Sequence, residues 1–69
     1  MKTLNAQQLA HELNIRGWSF ARNGRGSHIQ FKKIGNDRLI TVPVHGSRLL
    51  PIGLLRKILR DAGIAPSEL

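Results

Sequence analysis

Few side chains in this 69-residue sequence could carry acid/base chemistry, and three of them are histidines. Histidine is the side chain best suited to proton transfer near neutral pH. His28 directly follows a Gly-Arg-Gly-Ser stretch at positions 24–27 that is typical of a turn. We therefore expect the His28 side chain to project from the rim of a sheet, with backbone amides nearby. Such a corner could bind and cleave a phosphodiester, although a surface histidine at a strand start fits the same spacing.

The other two histidines have plainer interpretations. His11 lies off the apolar stripe of a predicted helix and is expected to be solvated, whereas His45 follows Val-Pro-Val at a strand end and fits a turn residue. Replacement of His45 is therefore expected to matter less than replacement of His28. The spacing of the histidines matches no zinc motif, the sequence has four acidic residues and no cysteine, and the carboxylates are scattered. We predict no metal site and no cofactor.

Basic side chains lie on both sides of His28, where they could hold a phosphate. With eleven Lys and Arg against four Asp and Glu, the net charge is +7. This charge favours a polyanionic partner, which could be nucleic acid, an acidic protein or an anionic membrane surface. The candidate phosphate-binding residues are Arg22, Arg25, Ser27, Lys32 and Lys33 around His28, and Arg56 and Lys57 on a second helix.

The composition also limits the class of protein. The longest apolar run, Leu49 to Ile52, is too short to cross a bilayer or to serve as a signal sequence. Hydrophobic residues make up 41% of the chain and recur periodically, which argues against disorder. We expect one soluble, cytoplasmic domain over residues 1–69, with a short tail at 65–69.

Hydrophobic periodicity predicts the order helix, three strands, helix. Asn5 and Gln8 fit a variant capping box before the first helix, and Gly17 suits its C-terminal end. Trp18 and Phe20 fall on one side of the first strand, and we assign both to the core. The predicted elements are a helix at 6–16, strands at 18–21, 28–32 and 38–44, a turn at 35–37 and a helix at about 51–62.

The predicted second helix buries one face and presents a basic one, because Arg56, Lys57 and Arg60 fall away from its apolar stripe. Two helices of this length can cover one face of a three-stranded antiparallel sheet. The other face would remain open to solvent or to a partner.

Several motifs occur in a specific order between about residues 4 and 64. They are Gly17-Trp18 after the first helix, Gly26-Ser27-His28 before an apolar and aromatic strand, Ile40-Thr41-Val42-Pro43, and the stretch from Leu54 to Gly63. This order resembles the HicA family, the toxin halves of bacterial HicA/HicB toxin–antitoxin pairs. The resemblance implies an α+β fold of order α-β-β-β-α, similar to double-stranded-RNA-binding domains. It also implies an mRNA interferase, a ribonuclease that blocks translation by cutting messages, whose catalytic histidine falls on His28 and whose partner is a HicB-like antitoxin.

RNA carries its own nucleophile in the 2′-hydroxyl, so its cleavage needs a proton acceptor and charge stabilisation and can proceed without a metal. His28 would act as the general base or acid, and nearby cations would stabilise the phosphorane. Two other classes remain open: a non-catalytic RNA-binding module of the same fold, and an interaction protein whose charge serves only an acidic partner.

Overall fold

Two helices pack on a three-stranded antiparallel sheet in the computed structural model, which describes residues 2–69. The strands lie in the order β1-β2-β3. This arrangement confirms the predicted α-β-β-β-α order. The elements are α1 (Ala6–Asn14), β1 (Trp18–Asn23), β2 (His28–Lys33), β3 (Asn36–Pro43), α2 (Ile52–Ala62) and a final single-turn 3₁₀ helix, Pro66–Glu68.

One hydrophobic core joins both helices to the same face of the sheet. Phe31 and Ile40 are direct neighbours on β2 and β3, and both are buried. Gln30 and Thr41 are the next pair along and point to the opposite face, because side chains alternate along a strand. The core residues of the helices are Leu9 and Leu13 of α1 and Leu55, Ile58 and Leu59 of α2. The far face of the sheet is therefore left open.

The ends of α1 follow from local hydrogen bonds. The predicted capping box is confirmed, since Gln8 N–H donates to Asn5 Oδ1 at 2.8 Å and Asn5 N–H donates to Gln8 Oε1 at 2.9 Å. The helix ends at Asn14, two residues before the predicted end. The reason is that Arg16 and Gly17 donate to carbonyls only three residues back, which tightens the chain into turns.

Helix α2 ends at a glycine whose backbone is in the left-handed region, which residues with a Cβ rarely adopt. Gly63 has a φ of 73°, its N–H donates to the Arg60 carbonyl at 3.1 Å, and the Ile64 N–H donates to the Leu59 carbonyl at 2.9 Å. This pair of bonds is a Schellman motif. It returns the buried Ile64 side chain to the core.

Two sequence predictions about the sheet are wrong. Trp18 is buried as expected, but Phe20 is 55% exposed, because β1 is an edge strand and its register with β2 shifts directly after Phe20. The β2–β3 turn consists of Ile34 and Gly35, and β3 begins at Asn36, which pairs with Lys33. Asn36 and Asp37 therefore belong to the strand instead of the predicted turn.

The C-terminal residues 65–69 contact the body of the domain. Arg16 donates through Nη2 to the Glu68 carbonyl at 3.1 Å, and Leu69 packs partly against the core. None of the helices in residues 2–69 has the length and apolar character needed to cross a membrane.

Candidate active site

A cavity of about 520 Å³ opens at the end of the sheet where β2 begins and β3 ends. His28 lies at this end, directly opposite Pro43 in the strand register. The loop between β3 and α2 and the start of α2 form the opposite wall. The lining residues are His28, Pro43, His45, Arg48, Leu49, Leu50, Pro51 and Leu54.

The His28 ring is held by the turn that precedes it. Its Nδ1 lies 2.8 Å from the backbone carbonyl oxygen of Arg25. A carbonyl oxygen can only accept a hydrogen bond, so in the neutral ring the proton sits on Nδ1. Nε2 then carries the free lone pair, which is the form that a general base requires.

Two glycines shape this turn. Gly24 donates its N–H to the His28 carbonyl at 2.8 Å, and a Cβ at Gly24 would lie 3.3 Å from the His28 Cβ. Gly26 has a φ of 60°, which is unfavourable for residues that carry a Cβ. The glycines singled out in the sequence thus permit a tight turn that places His28 at the rim of the sheet.

The loop from Val44 to Pro51 brings His45 and Arg48 to the cavity. Val44 N–H donates to the Ser27 carbonyl at 2.7 Å, which fastens the loop beside His28. Arg48 N–H donates to the His45 carbonyl at 3.2 Å, so these two residues bound one turn. The sequence predicted a turn residue at His45, and His45 does bound a turn and is exposed, but the sequence did not place it at the cavity with His28 and did not single out Arg48.

The other end of this loop is fixed by contacts that are distant in sequence. Leu50 N–H donates to the Leu4 carbonyl at 2.8 Å, and both leucine side chains are buried. Asn5 and Leu49 also form an isolated antiparallel bridge. Leu4 and Leu50, two apolar residues outside the predicted helices, were the sequence signal that could have placed the loop.

Only some of the predicted cations lie at the His28 end of the sheet. Arg22 is on the open face and donates through Nε to Gln30 Oε1 at 2.6 Å, and Arg25 is in the turn itself. Lys33 is at the opposite end of β2, about 16 Å from His28 at the usual rise per strand residue. Lys32 is one residue nearer, and the hydroxyl-bearing Ser27 is exposed directly before His28.

Ion pairs are concentrated away from the cavity. Arg16 binds Glu12 at 2.7 Å, and Asp61 binds both Arg38 and Lys57 at 3.0 Å. The Lys57 ammonium, which donates a hydrogen bond to Asp61, together with Arg38, holds the pKa of the Asp61 carboxyl below its ordinary value. Within residues 2–69 no ion pair involves the cations nearest His28, so the positive charge around the cavity is uncompensated there.

The start of α2 adds to this positive potential. Pro51 and Leu54 line the cavity, the first turn holds no acidic residue, and no side chain caps the helix. The amide groups of a first helical turn carry a partial positive charge. Arg56 and Lys57 lie on the exposed side of the same helix, slightly further along it, and Lys57 is engaged by Asp61.

His11 lies apart from this site. It is exposed, as predicted, and lines a separate shallow cavity with Gln7 and Gln8 of α1. In the described part of the chain, no three or more His, Asp or Glu side chains gather where they could hold a metal ion.

Comparison with known proteins gives one family. A family model described as the HicA toxin of bacterial toxin–antitoxin systems matches residues 6–64. The matched segment begins at the first residue of α1 and ends just after α2, so it includes the cavity and His28. A search of curated proteins found no match.

Proposed function

The chain belongs to the HicA toxin family of bacterial toxin–antitoxin systems, and we propose that it is an mRNA interferase, a metal-independent endoribonuclease that uses His28. The observation that carries the proposal is the 2.8 Å contact between His28 Nδ1 and the Arg25 carbonyl, which in the neutral ring places the lone pair on Nε2, beside a cavity lined by Arg48. A base and a nearby positive charge are what cleavage by the RNA 2′-hydroxyl requires.

In the proposed reaction, His28 Nε2 accepts the proton of a 2′-hydroxyl whose oxygen attacks the adjacent phosphorus. The 2′-oxygen–phosphorus bond forms and the phosphorus–5′-oxygen bond breaks, which gives a 2′,3′-cyclic phosphate and a new 5′-hydroxyl end. Cations at the His28 end of the sheet, Arg22 and Arg25 among them, stabilise the charge that builds on the phosphoryl oxygens. The nucleophile belongs to the substrate, so the protein has to supply only proton transfer, charge and geometry.

Binding of mRNA rests on charge. The chain has eleven basic residues and four acidic ones, and several of the acidic side chains at the helices are engaged in ion pairs. The remaining positive charge at the turn, the open sheet face and α2 can follow a phosphate backbone. Arg22, Arg25, Ser27, Lys32, Lys33, Arg56 and Lys57 are the residues proposed for this role.

A HicB-like antitoxin is the proposed protein partner. We propose that an acidic surface of the antitoxin covers the His28 end of the sheet and so excludes RNA. Complementary charge would speed the encounter and fix the orientation of the complex. The faster encounter due to complementary charge would be lost at high salt, because exposed charges are already screened beyond a Debye length of about 8 Å at physiological ionic strength.

A non-catalytic RNA-binding module is the second candidate. The observation that favours it is the hydrogen-bonded row on the open sheet face, in which Arg22 binds Gln30 and Gln30 donates to Thr41 Oγ1 at 3.3 Å. Such polar groups could contact an RNA backbone and its 2′-hydroxyls without cutting it.

Incubation of the purified chain with RNA separates these functions. We expect the wild type to cut RNA, and we expect His28→Ala to bind RNA with unchanged affinity without cutting it or inhibiting growth. His11→Ala is the matched control, because His11 is exposed and outside the cavity. Retention of RNA by the wild type without cleavage would support the binding module, and an equally active His28→Ala would remove His28 from the mechanism.

A further inference from the structure

A second histidine, His45, lines the His28 cavity. Resting on the proposed function, we propose that His45 is the general acid of the reaction, which protonates the departing 5′-oxygen, and that Arg48 binds the scissile phosphate between the two histidines. His28 alone provides a base for the attacking 2′-hydroxyl. The departing 5′-alkoxide is a poor leaving group and also needs a proton. One side chain rarely accepts the proton of the nucleophile and donates a proton to the leaving group at the same moment.

The first support is the shared cavity. His28 belongs to β2, whereas His45 and Arg48 belong to the loop before α2, yet all three line the same volume of about 520 Å³. A scissile phosphate in this space would lie between β2, which carries His28, and the loop that carries His45. In-line displacement needs base and acid on opposite sides of the phosphorus, because the attacking and leaving oxygens lie roughly opposite each other.

The second support is the way in which the loop is fastened. The hydrogen bonds Val44 to Ser27 and Leu50 to Leu4, at 2.7 and 2.8 Å, tie both of its ends to the folded body. These two anchors hold the loop, and with it His45 and Arg48, beside the end of β2 that carries His28, as a catalytic constellation requires.

The third support is that the His45 ring is free to react. Across residues 2–69, no hydrogen bond or ion pair uses its ring nitrogens, and the residue is exposed. Arg48 likewise has no carboxylate partner within the described chain. A histidine that served only the turn would need neither a position on the cavity nor a neighbouring unpaired guanidinium.

The proton balance closes without any further reactant. The 2′-hydroxyl gives its proton to His28, the 2′-oxygen bonds to phosphorus, and the leaving 5′-oxygen takes a proton from the His45 imidazolium. After cleavage, His28 holds one proton more and His45 one fewer, and solvent exchange restores both. Arg48 keeps its charge throughout and offsets that of the phosphoryl oxygens.

The test compares a normal RNA with one in which sulfur replaces the bridging 5′-oxygen at the cleavage site. A thiolate departs without a proton, so the sulfur substrate does not need a general acid. We expect His45→Ala to cut the normal RNA about 10²- to 10⁴-fold more slowly than wild type, the usual contribution of a proton-transfer group. The same variant should cut the sulfur substrate at close to the wild-type rate.

The other variants should give different patterns. His28→Ala should be slow on both substrates, because both need the base, and Arg48→Ala should be slow on both, because both carry the phosphate. His11→Ala should match the wild type on both. Circular dichroism of each variant, and the parallel variant His45→Gln, separate a chemical effect from misfolding.

Three results would overturn the proposal. A His45→Ala variant as fast as wild type on normal RNA excludes a role in proton transfer. An equal loss on both substrates makes His45 a structural or binding residue. A wild type that cuts neither substrate overturns the proposed function itself, whereas the first two results leave His28-dependent cleavage standing.

Discussion

His28 and Arg25 are linked twice: the His28 ring Nδ1 lies 2.8 Å from the Arg25 carbonyl oxygen, and the His28 backbone N–H donates to the same oxygen at 3.3 Å. One carbonyl therefore fixes both the backbone and the ring of the candidate base. The turn that contains this carbonyl therefore sets the position of the His28 ring.

The first prediction concerns that turn. Gly26→Ala should destabilise the fold by about 1–2 kcal/mol, because Gly26 has a φ of 60° and a residue with a Cβ is strained there. It should also slow RNA cleavage, because the Arg25 carbonyl would shift. Gly53→Ala is the matched control: in α2, with nothing within 4 Å of the added Cβ, it should be neutral or stabilising in urea denaturation. Equal effects of the two variants would contradict the strained turn.

The second prediction concerns the surface proposed to bind both RNA and antitoxin. Replacement of Arg22, Arg25 and Lys32 by Glu should weaken binding of both partners together, since both are proposed to approach the His28 end of the sheet. The association rate of each should also fall as salt rises. Binding kinetics at several salt concentrations measure both effects. An antitoxin complex in which His28 stays accessible and RNA is still cut would exclude direct occlusion.

The third prediction concerns stability in acid. Lys57 and Arg38 lower the pKa of Asp61 below its ordinary value of 3.8. A lowered pKa in the folded state means that the carboxylate stabilises the fold at neutral pH, and that this contribution is lost as the pH falls through the folded pKa. Asp61→Asn should therefore be less stable than wild type at neutral pH, with the difference closing in strong acid.

Urea denaturation at neutral pH and in strong acid measures the difference in stability between Asp61→Asn and wild type. Asp37→Asn is the control, because Asp37 has no ion pair among residues 2–69. A difference between Asp61→Asn and wild type that stays constant with pH would mean that the ion pair adds nothing to the pH dependence of stability.

The fourth prediction concerns the core. Trp18 is 1% exposed, and its Nε1 has no hydrogen-bond partner in the described structure. Trp18→Ala should cost about 3–5 kcal/mol for a large buried side chain. Trp18→Phe should cost much less, because removal of an unsatisfied donor recovers about 1–3 kcal/mol and offsets part of the lost volume. Thermal denaturation ranks the two, and a Trp18→Phe variant that loses as much stability as Trp18→Ala would contradict this prediction.

Local signals in the sequence predicted most of the fold. The Asn5–Gln8 capping box, the glycine that ends α2 and the alternation in β2 are short-range patterns, and each is present in the structure. The prediction that Phe20 belongs to the core was wrong. Its exposure depends on a bulge in β1 and on the position of β1 at the edge of the sheet, and the residues around Phe20 in the sequence determine neither.

The candidate site was predicted only in part for the same reason. The position of His28 at the rim follows from the adjacent Gly-rich turn. The approach of His45 and Arg48 depends on the hydrogen bond from Leu50 to Leu4, residues that are 46 positions apart by their numbers, 50 − 4. No window of neighbouring residues contains both halves of that contact.

Cleavage of an RNA with a single 2′-deoxy nucleotide on the 5′ side of the scissile phosphate tests His28-assisted attack by the 2′-hydroxyl most directly. With EDTA present, the wild type should cut the all-ribose RNA to a 2′,3′-cyclic phosphate and a 5′-hydroxyl, and should leave the deoxy-substituted bond intact because its nucleophile is gone. Cleavage at the deoxy position, or activity that EDTA abolishes and magnesium restores, would contradict the mechanism and point to attack by a metal-activated water.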